Sequence, residues 1–216
     1  MTSPAEKGVV CVFAKPPRAG EVKTRLAAEI GPGVAARLAT AFLEDTLASL
    51  REIPVRVVLA STEPPDGLPP ADECWLQGDG DLGERLERML CRALGEAPWA
   101  AAIGADSPGF PLGVLEEAEQ MLSSLDVALG PADDGGFYLI ATRRCPPQML
   151  AGVTWSAPDT LLQVERRLRT VGLSTGRVAR WFDVDTVDSL RRLEALLSRG
   201  EVRAAATAQA IAGWAR

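Results

Sequence analysis

The residues best suited to chemistry begin with cations in a short loop that follows the first predicted strand. Two of the three lysines in the chain, Lys15 and Lys23, lie within nine residues there, together with Arg18 and Arg25. Gly20 leaves backbone amides of the loop accessible ahead of a helix start. Lysine and arginine side chains and free amides are usual protein partners of phosphate. The loop therefore predicts a phosphate-binding site, and the competing interpretation is a solvated loop with chance charges.

Carboxylates form three clusters at later strand ends. Asp106 stands after the fourth predicted strand, Asp133 and Asp134 after the fifth, and Asp183 and Asp185 before the last core helix. Ligands of open α/β sheets lie outside the carboxyl ends of the strands, where these clusters would meet the basic loop. Carboxylate oxygens suit Mg²⁺ or Mn²⁺, so the pattern predicts a metal-bridged phosphoanhydride site. The alternatives are a helix cap or Asx-turn for Asp106, an ordinary hairpin turn for the middle cluster and a helix cap by Asp185 or Thr186 for the last.

The composition excludes several classes of site. The 216 residues contain no histidine, so a Ser-His-Asp or Cys-His site, a histidine base and a histidine-containing zinc site are impossible. Catalysis must then rest on carboxylates, arginine, lysine, hydroxyls or a metal held by oxygen. The formal net charge of −6 also argues against a nucleic-acid partner, which would need a basic face.

Two glycine-containing stretches partly match known nucleotide-binding motifs, and both matches fail. The run 78–83 formally matches a dinucleotide fingerprint, but it follows a late strand and places two aspartates where pyrophosphate would lie. Asp81 is better interpreted as a helix cap, with Gly83 and Arg85 as candidate ligand contacts. The basic loop is not a Walker loop either, because Val22 rather than glycine precedes Lys23.

Apolar runs alternate with stretches of helical periodicity along the chain. This alternation predicts a single-domain, Rossmann-like α/β fold with a mixed, mostly parallel sheet and helices on both faces. The domain would cover residues 1–216 with a core of about 8–198, while 201–216 forms a docked helix, a partner surface or a loose tail. The predicted strands are 9–14, 55–60, 74–77, 99–104, 126–130, 137–142 and 178–182, and the predicted helices are 32–50, 82–94, 112–125, 158–171 and 186–198.

The cysteines and the apolar segments indicate which cellular compartment to expect. Cys11, Cys74, Cys91 and Cys145 show no Cys-x-x-Cys spacing, and we expect all four to be reduced thiols. The apolar run 9–14 is too short for a signal peptide, and no segment approaches the ~18–20 apolar residues of a membrane helix. A cytoplasmic protein without a membrane span is expected, and a homodimer is compatible with the sequence.

Five ordered motifs together resemble a known family. They are Phe13–Leu26, Leu82–Arg85, Gly104–Pro108, Gly130–Ile140 and Asp183–Leu190. This set resembles bacterial GT-A-like transferases, which are labelled nucleotide-diphospho-sugar transferases, glycosyltransferases associated with radical-SAM or arsenosugar clusters, or a domain of unknown function. The resemblance covers about residues 8–198 and implies a GT-A-like fold.

The resemblance also implies roles for individual residues. Asp106 would be the first ligand of Mg²⁺ or Mn²⁺, and Asp185, with Asp183 close by, the second. The sequence departs from the pattern twice: the usual Asp-x-Asp pair after the fourth strand is reduced to Asp106, and Phe137 replaces a tyrosine in the Asp-Gly-Gly motif. Lys23 and Asp134 are the catalytic candidates, and the nucleotide or phosphate contacts would come from Lys15, Arg18, Gly20, Lys23, Arg25, Gly83, Arg85, Gly135 and Gly136.

Three functions are compatible with these residues. The leading one is a metal-dependent glycosyltransferase that uses a nucleotide-sugar and a small-molecule acceptor, with Asp134 as the base. The second is a nucleotidyltransferase that joins an NTP to a small phosphorylated acceptor, releases pyrophosphate and needs no protein base. The third is a non-catalytic nucleotide-binding protein. Fold resemblance by itself does not choose among them.

Overall fold

Strands and helices alternate along most of the chain. The structure is a computed structural model, and it describes residues 8–214. The strands are β1 (Val9–Ala14), β2 (Arg56–Ser61), β3 (Cys74–Leu76), β4 (Ala100–Gly104), β5 (Val127–Pro131), β6 (Phe137–Thr142) and β7 (Thr175–Arg177). The helices are α1 (Thr24–Ile30), α2 (Pro32–Leu50), α3 (Leu82–Leu94), α4 (Gly113–Met121), α5 (Thr160–Thr170), α6 (Val187–Ser198) and α7 (Ala205–Trp214).

All seven strands belong to one sheet in the order β3-β2-β1-β4-β6-β5-β7. The pairs of β1 with β2, β1 with β4, β2 with β3 and β5 with β7 are parallel. Strand β6 runs antiparallel to both β4 and β5, because a short turn returns the chain directly from β5. The prediction of a single-domain, mixed and mostly parallel α/β sheet is therefore confirmed.

The side chains of β1 show why the sheet is covered on both faces. Val9 and Cys11 pack on one face among residues of α3 and α5. Val10 and Val12 pack on the other face among residues of α2 and α4. Successive strand residues point to opposite faces, so a continuous apolar run needs helices on both sides.

Several element boundaries differ from the sequence-based ones. Helix α1 is a separate element, which the sequence indicated only as a helix start after the basic loop. The last strand is Thr175–Arg177, upstream of the predicted 178–182, where only an isolated bridge between Ala132 and Trp181 remains. Gly176 in β7 has a low strand propensity, so the sequence pattern did not predict this strand. The cap predicted at Asp81 is confirmed, because Asp81 and Glu84 form a capping box at α3.

The C-terminal stretch contains a docked helix. The buried Asp45 of α2 accepts hydrogen bonds from the backbone N–H groups of Ala206 (3.0 Å) and Thr207 (2.7 Å) at the start of α7. Ile211 is buried in a cluster formed with α1, α2 and α6. Within the stretch 201–216, residues 205–214 thus form a docked helix, and residues 215–216 lie outside the described part. None of the helices within residues 8–214 combines the length and apolar character that crossing a bilayer requires.

The cysteine prediction is wrong for one pair. Cys91 of α3 and Cys145, just after β6, form a disulfide across a sequence separation of 54 residues. Cys11 and Cys74 are free. The pairing arises because the segment after β6 lies against α3, where Gln148 N donates a hydrogen bond to Glu87 Oε1. Nothing in the local spacing of the cysteines indicates this tertiary contact.

Substitution of Asp45 by alanine should release the start of α7. The two backbone donors lose their buried acceptor, so we expect the free energy of unfolding to fall by about 1–3 kcal/mol. Hydrogen exchange at Ala206 and Thr207 should accelerate. Glu44→Ala, at the exposed neighbouring position of α2, is the control and should change neither quantity. Unchanged exchange in Asp45→Ala would show that packing alone docks α7.

Candidate active site

The basic loop and Asp106 meet because β1 and β4 are parallel neighbours. Phe13 pairs with Gly104 at their carboxyl ends, and Ala105 N donates a hydrogen bond to Phe13 O (3.2 Å). The loop after β1 and the loop after β4 therefore emerge side by side. The chain after β7 reaches the same edge, where Val184 N donates to Asp106 O (2.9 Å).

Lys23 joins these three segments. Its ammonium lies 2.8 Å from Oδ1 of Asp106 and 2.8 Å from Oδ1 of Asp185, while its side chain is only 3% exposed. Nζ also stands 5.6 Å from the centre of the Phe42 ring. Burial alone would lower the pKa of Lys23, but the two carboxylates outweigh burial and the pKa lies above its ordinary value. Lys23 is therefore a fixed cation at the centre of the predicted site.

The backbone at Lys23 is unusual. This residue precedes α1 with φ 48° and ψ 45°, the left-handed region that residues with a side chain rarely adopt. Such conformations persist where surrounding contacts determine them, and they concentrate at functional sites. The two ion pairs of Lys23 supply such contacts.

Asp183 lies beside this ion cluster in a more enclosed setting. Ser107 Oγ donates a hydrogen bond to Asp183 Oδ1. Burial raises the pKa of Asp183 to about 6, against the lowering effect of the Ser107 hydroxyl, and the charge of Asp106 adds to the rise. No strand forms at 183–185, and Asp183 and Asp185 contact different partners, Ser107 and Lys23.

The carboxylate oxygens around Lys23 suit a hard cation such as Mg²⁺ that takes only one or two ligands from the protein. Within residues 8–214 no group of three or more His, Cys, Asp or Glu residues is arranged to hold a metal ion. Mg²⁺, however, is commonly held by one or two carboxylates together with substrate phosphates. Asp106 and Asp185, whose side chains are 58% and 38% exposed, have oxygen atoms open to such shared coordination.

A cleft of about 550 Å³ adjoins this cluster. We call it the cationic cleft, because its walls include Lys15 and Lys23, together with Asp106, Asp185 and Gln77. Lys15 is exposed and donates to the backbone oxygen of Glu21, which holds the loop in a compact turn. The cleft thus brings together two lysines and two carboxylates at the carboxyl end of β1 and β4.

The two arginines of the basic loop lie elsewhere. Arg18 forms a bidentate salt bridge with Glu63, with N–O distances of 3.0 and 2.7 Å. Gly20 has φ 87° and no atom near its Cβ position, so its role in the loop is conformational.

Arg25 lies on α1 and lines a neighbouring pocket, which we call the acidic pocket. This pocket is formed by Arg25, Asp133, Asp134, Asp183, Asp185 and Arg192, among others.

The Asp-Gly-Gly motif forms the turn between β5 and β6. Asp134 Oδ1 accepts a hydrogen bond from Gly136 N (2.9 Å), which orients the carboxylate. Gly135 has φ 90°, and a Cβ there would lie 1.8 Å from Pro158 O, so the backbone of the segment before α5 packs directly on this glycine. Asp133 forms a salt bridge with Arg192, with an N–O distance of 2.6 Å. The two glycines therefore shape the turn around Asp134.

A second cavity, of about 200 Å³, opens beside the cationic cleft. We call it the aromatic cavity, because Phe13, Phe137, Tyr138 and Trp155 line it together with Asp134. The Tyr138 hydroxyl is engaged with Ala179 O (2.8 Å). Phe137, which replaces the tyrosine of the resembled motif, lies edge-on to Trp155 with ring centroids 6.3 Å apart.

Gly83 and Arg85 contribute to this region indirectly. A Cβ at Gly83 would lie 2.8 Å from the indole carbon Cζ2 of Trp155, so this glycine permits close packing of the indole. Arg85 is half-buried, and its Nε has no hydrogen-bond partner among residues 8–214. Gly83 thus contributes to the aromatic cavity by allowing Trp155 to pack closely against α3.

Sequence reasoning missed several lining residues. Trp155 and Ser156 lie in the run 153–158, which contains no charged residue and no glycine. Gln77 follows β3 directly, as the predicted ligands follow their strands, but it was not among them. It is 4% exposed and donates through Nε2 to Ala60 O (2.7 Å). The positive φ of Ser156 (59°) marks this segment in the structure, but sequence provides no such signal.

Comparison with known proteins assigns the chain to a family. Residues 45–157 match the family model described as "Uncharacterized protein conserved in bacteria (DUF2064)". The chain belongs to this family. No curated protein matches the sequence.

Solved structures share the fold. A crystal structure from Desulfovibrio desulfuricans G20, with the suggested activity of nucleotide-diphospho-sugar transfer, aligns over 94% of this chain and 93% of its own, with 27% identity and TM-score 0.85. CMP:2-keto-3-deoxy-manno-octonic acid synthetase in complex with CTP aligns over 90% of this chain and 99% of its own, at 18% identity and TM-score 0.51. A 4-diphosphocytidyl-2C-methyl-D-erythritol synthase from Anaerococcus prevotii DSM 20548 aligns over 89% and 99%, at 9% identity and TM-score 0.57.

These likenesses bear on the sequence-based predictions. The resemblance to GT-A-like nucleotide-diphospho-sugar transferases is confirmed, and the neighbours support the prediction of a transferase enzyme. The two synthases, both under 25% identical, show the fold alone. The roles of individual site residues stay predictions, which the geometry above makes specific.

Substitution of Gly83 by alanine should displace Trp155. The new methyl group would overlap the indole ring, so we expect an altered tryptophan emission spectrum and a loss of about 1–3 kcal/mol in the free energy of unfolding. Gly33→Ala, also at the second residue of a helix, is the matched control, because the nearest atom to its Cβ is 3.9 Å away. Equal emission and stability in both variants would contradict the packing role of Gly83.

Proposed function

We propose that the protein is a divalent-metal-dependent glycosyltransferase that takes a sugar from a nucleoside-diphosphate donor. The observation that carries the proposal is the junction of the three cavities. Asp185 lines both the cationic cleft and the acidic pocket, and Asp134 lines both the acidic pocket and the aromatic cavity. A donor diphosphate beside the lysines would thus place its sugar next to a carboxylate base.

The cationic cleft supports binding of the donor diphosphate. Lys15 and Lys23 supply positive charge, and a preorganised cation stabilises the charge that develops on a leaving diphosphate. Asp106 and Asp185 would hold Mg²⁺ or Mn²⁺, which when bound supplies further charge neutralisation at the diphosphate. The sequence-related neighbour from Desulfovibrio desulfuricans supports a nucleotide-sugar as the donor class.

The position of Asp134 supports a role as general base. In the transfer, the acceptor oxygen forms a bond to the anomeric carbon of the sugar, and the bond between that carbon and the diphosphate oxygen breaks. The nucleoside diphosphate leaves with the bonding electrons, and the acceptor hydroxyl proton passes to the Asp134 carboxylate. The hydrogen bond from Gly136 N orients this carboxylate for the purpose.

Nucleotidyl transfer is the second candidate. It is favoured by the single Asp106 in place of an Asp-x-Asp pair, and by the likeness to a synthetase in complex with CTP. In that reaction the acceptor phosphate is already nucleophilic and Asp134 has no part as a base.

The released product separates the candidates. The protein is incubated with Mg²⁺ or Mn²⁺ and panels of NTPs or nucleotide-sugars, and nucleoside diphosphate and pyrophosphate are quantified. We expect metal-dependent nucleoside diphosphate release from a nucleotide-sugar. Pyrophosphate as the sole product would establish nucleotidyl transfer instead, and nucleotide binding without either product would support a non-catalytic protein.

Substitutions in the ion cluster should impair function without loss of the fold. Asp106→Asn and Lys23→Ala remove charge beside the donor diphosphate, so we expect kcat/KM to fall by about a hundredfold or more. After Lys23→Ala the two carboxylates that remain are 58% and 38% exposed and can be solvated, and after Asp106→Asn the buried ammonium keeps its ion pair with Asp185, so the circular dichroism spectrum should be unchanged. Asp66→Asn, in an exposed loop, is the control with unchanged kcat/KM. Unfolding of both variants would instead assign these residues a structural role.

A further inference from the structure

The aromatic cavity has a chemical character that differs from the cleft beside it. Its walls are largely apolar, from Phe13 at the end of β1, Leu86 on α3, Phe137 on β6 and Trp155 before α5. Phe13, Leu82 and Ser156 line both this cavity and the cationic cleft, so the two lie next to each other. A molecule in the aromatic cavity would therefore lie directly beside a donor in the cleft.

The charges of the cavity walls argue against an anionic occupant. Among its lining residues, all within the described part of the chain, there is no lysine or arginine, and Asp134 is the one carboxylate. A phosphate or carboxylate in this cavity would meet the Asp134 charge in partly apolar surroundings without a local counter-cation, which is unfavourable. The lysines that could neutralise it, Lys15 and Lys23, belong to the cleft.

The volume limits the size of the occupant. A dry protein cavity of about 150 Å³ accommodates one benzene molecule. The aromatic cavity, at about 200 Å³, therefore has room for one ring or a short branched alkyl group. The edge-on pair of Phe137 and Trp155 presents apolar ring surface to such a group.

We propose that the aromatic cavity is the acceptor subsite, and that the acceptor is an uncharged alcohol with an apolar, ring-sized body. This inference rests on the proposed glycosyl transfer and specifies its acceptor class. The apolar body packs against Phe137 and Trp155, and the hydroxyl lies at Asp134, where its proton is accepted as the bond to the sugar forms. A phosphorylated acceptor, which nucleotidyl transfer requires, does not fit this cavity.

Binding of a matched pair of probes tests the cavity directly. Benzyl alcohol and benzyl phosphate are titrated by ligand-observed NMR while inorganic pyrophosphate fills the cationic cleft. We expect benzyl alcohol to bind, and benzyl phosphate to bind about tenfold more weakly or not at all. Equal or tighter binding of the phosphate would overturn the proposal.

Variants locate the bound probe. Phe137→Ala should weaken benzyl alcohol binding about tenfold, because it removes one apolar wall, while pyrophosphate affinity stays the same. Leu162→Ala removes an apolar side chain that is 53% exposed on α5, and as the control it should change neither affinity. If uridine or cytidine displaces benzyl alcohol from the wild type but not from Phe137→Ala, the cavity holds a nucleobase and the proposal fails.

Turnover separates this proposal from the function on which it rests. With an active nucleotide-sugar identified, neutral aryl and alkyl alcohols should accelerate nucleoside diphosphate release, and their phosphate esters should not. Acceleration by the phosphate esters alone would overturn the acceptor class while glycosyl transfer stands. Release of pyrophosphate alone would overturn glycosyl transfer, and with it the assignment of the cavity as a glycosyl acceptor subsite, whatever the probes bind.

Discussion

The contact on which the site depends is the buried ammonium of Lys23 between the carboxylates of Asp106 and Asp185. It links the loop after β1 to the end of β4 and to the segment before α6, three parts of the chain far apart in sequence. Burying one cation costs free energy, and the two partly exposed carboxylates offset that cost. Lys23 is also the N-cap residue of α1, so this helix begins directly after the residue that the two ion pairs hold.

The segment between β6 and α5 completes the site from the opposite side. Glu87 of α3 accepts hydrogen bonds from the backbone of Gln148 and Leu150, and the Cys91–Cys145 disulfide joins the start of the segment to the same helix. Further along this segment, Trp155 packs on Gly83 of α3 and Pro158 packs on Gly135 of the Asp-Gly-Gly turn. The aromatic cavity therefore lies next to the strongly charged cationic cleft, and the walls of both come from segments far apart in the sequence.

Much of the site was predictable because the residues concerned follow strands. The carboxyl ends of neighbouring parallel strands share one edge, so Lys15, Lys23 and Asp106 were expected to meet, and they do. Arg18 was expected in the same group, but its pairing with Glu63 depends on the conformation of the loop after β2. The aromatic cavity was not predicted at all, because its apolar walls have the same composition as an ordinary core.

The sequence by itself determined the alternation of strands and helices, the two-sided covering of the sheet and the types of charge at its carboxyl edge. Apolar periodicity and the positions of glycine and proline are local properties, and they are sufficient for those features. Only the tertiary structure decided which cations face the cleft, that Cys91 and Cys145 pair, that α7 docks on Asp45 and that Trp155 lies over Gly83. Each of these is a contact between segments distant in the chain, and its free energy depends on a geometry that residue spacing does not encode.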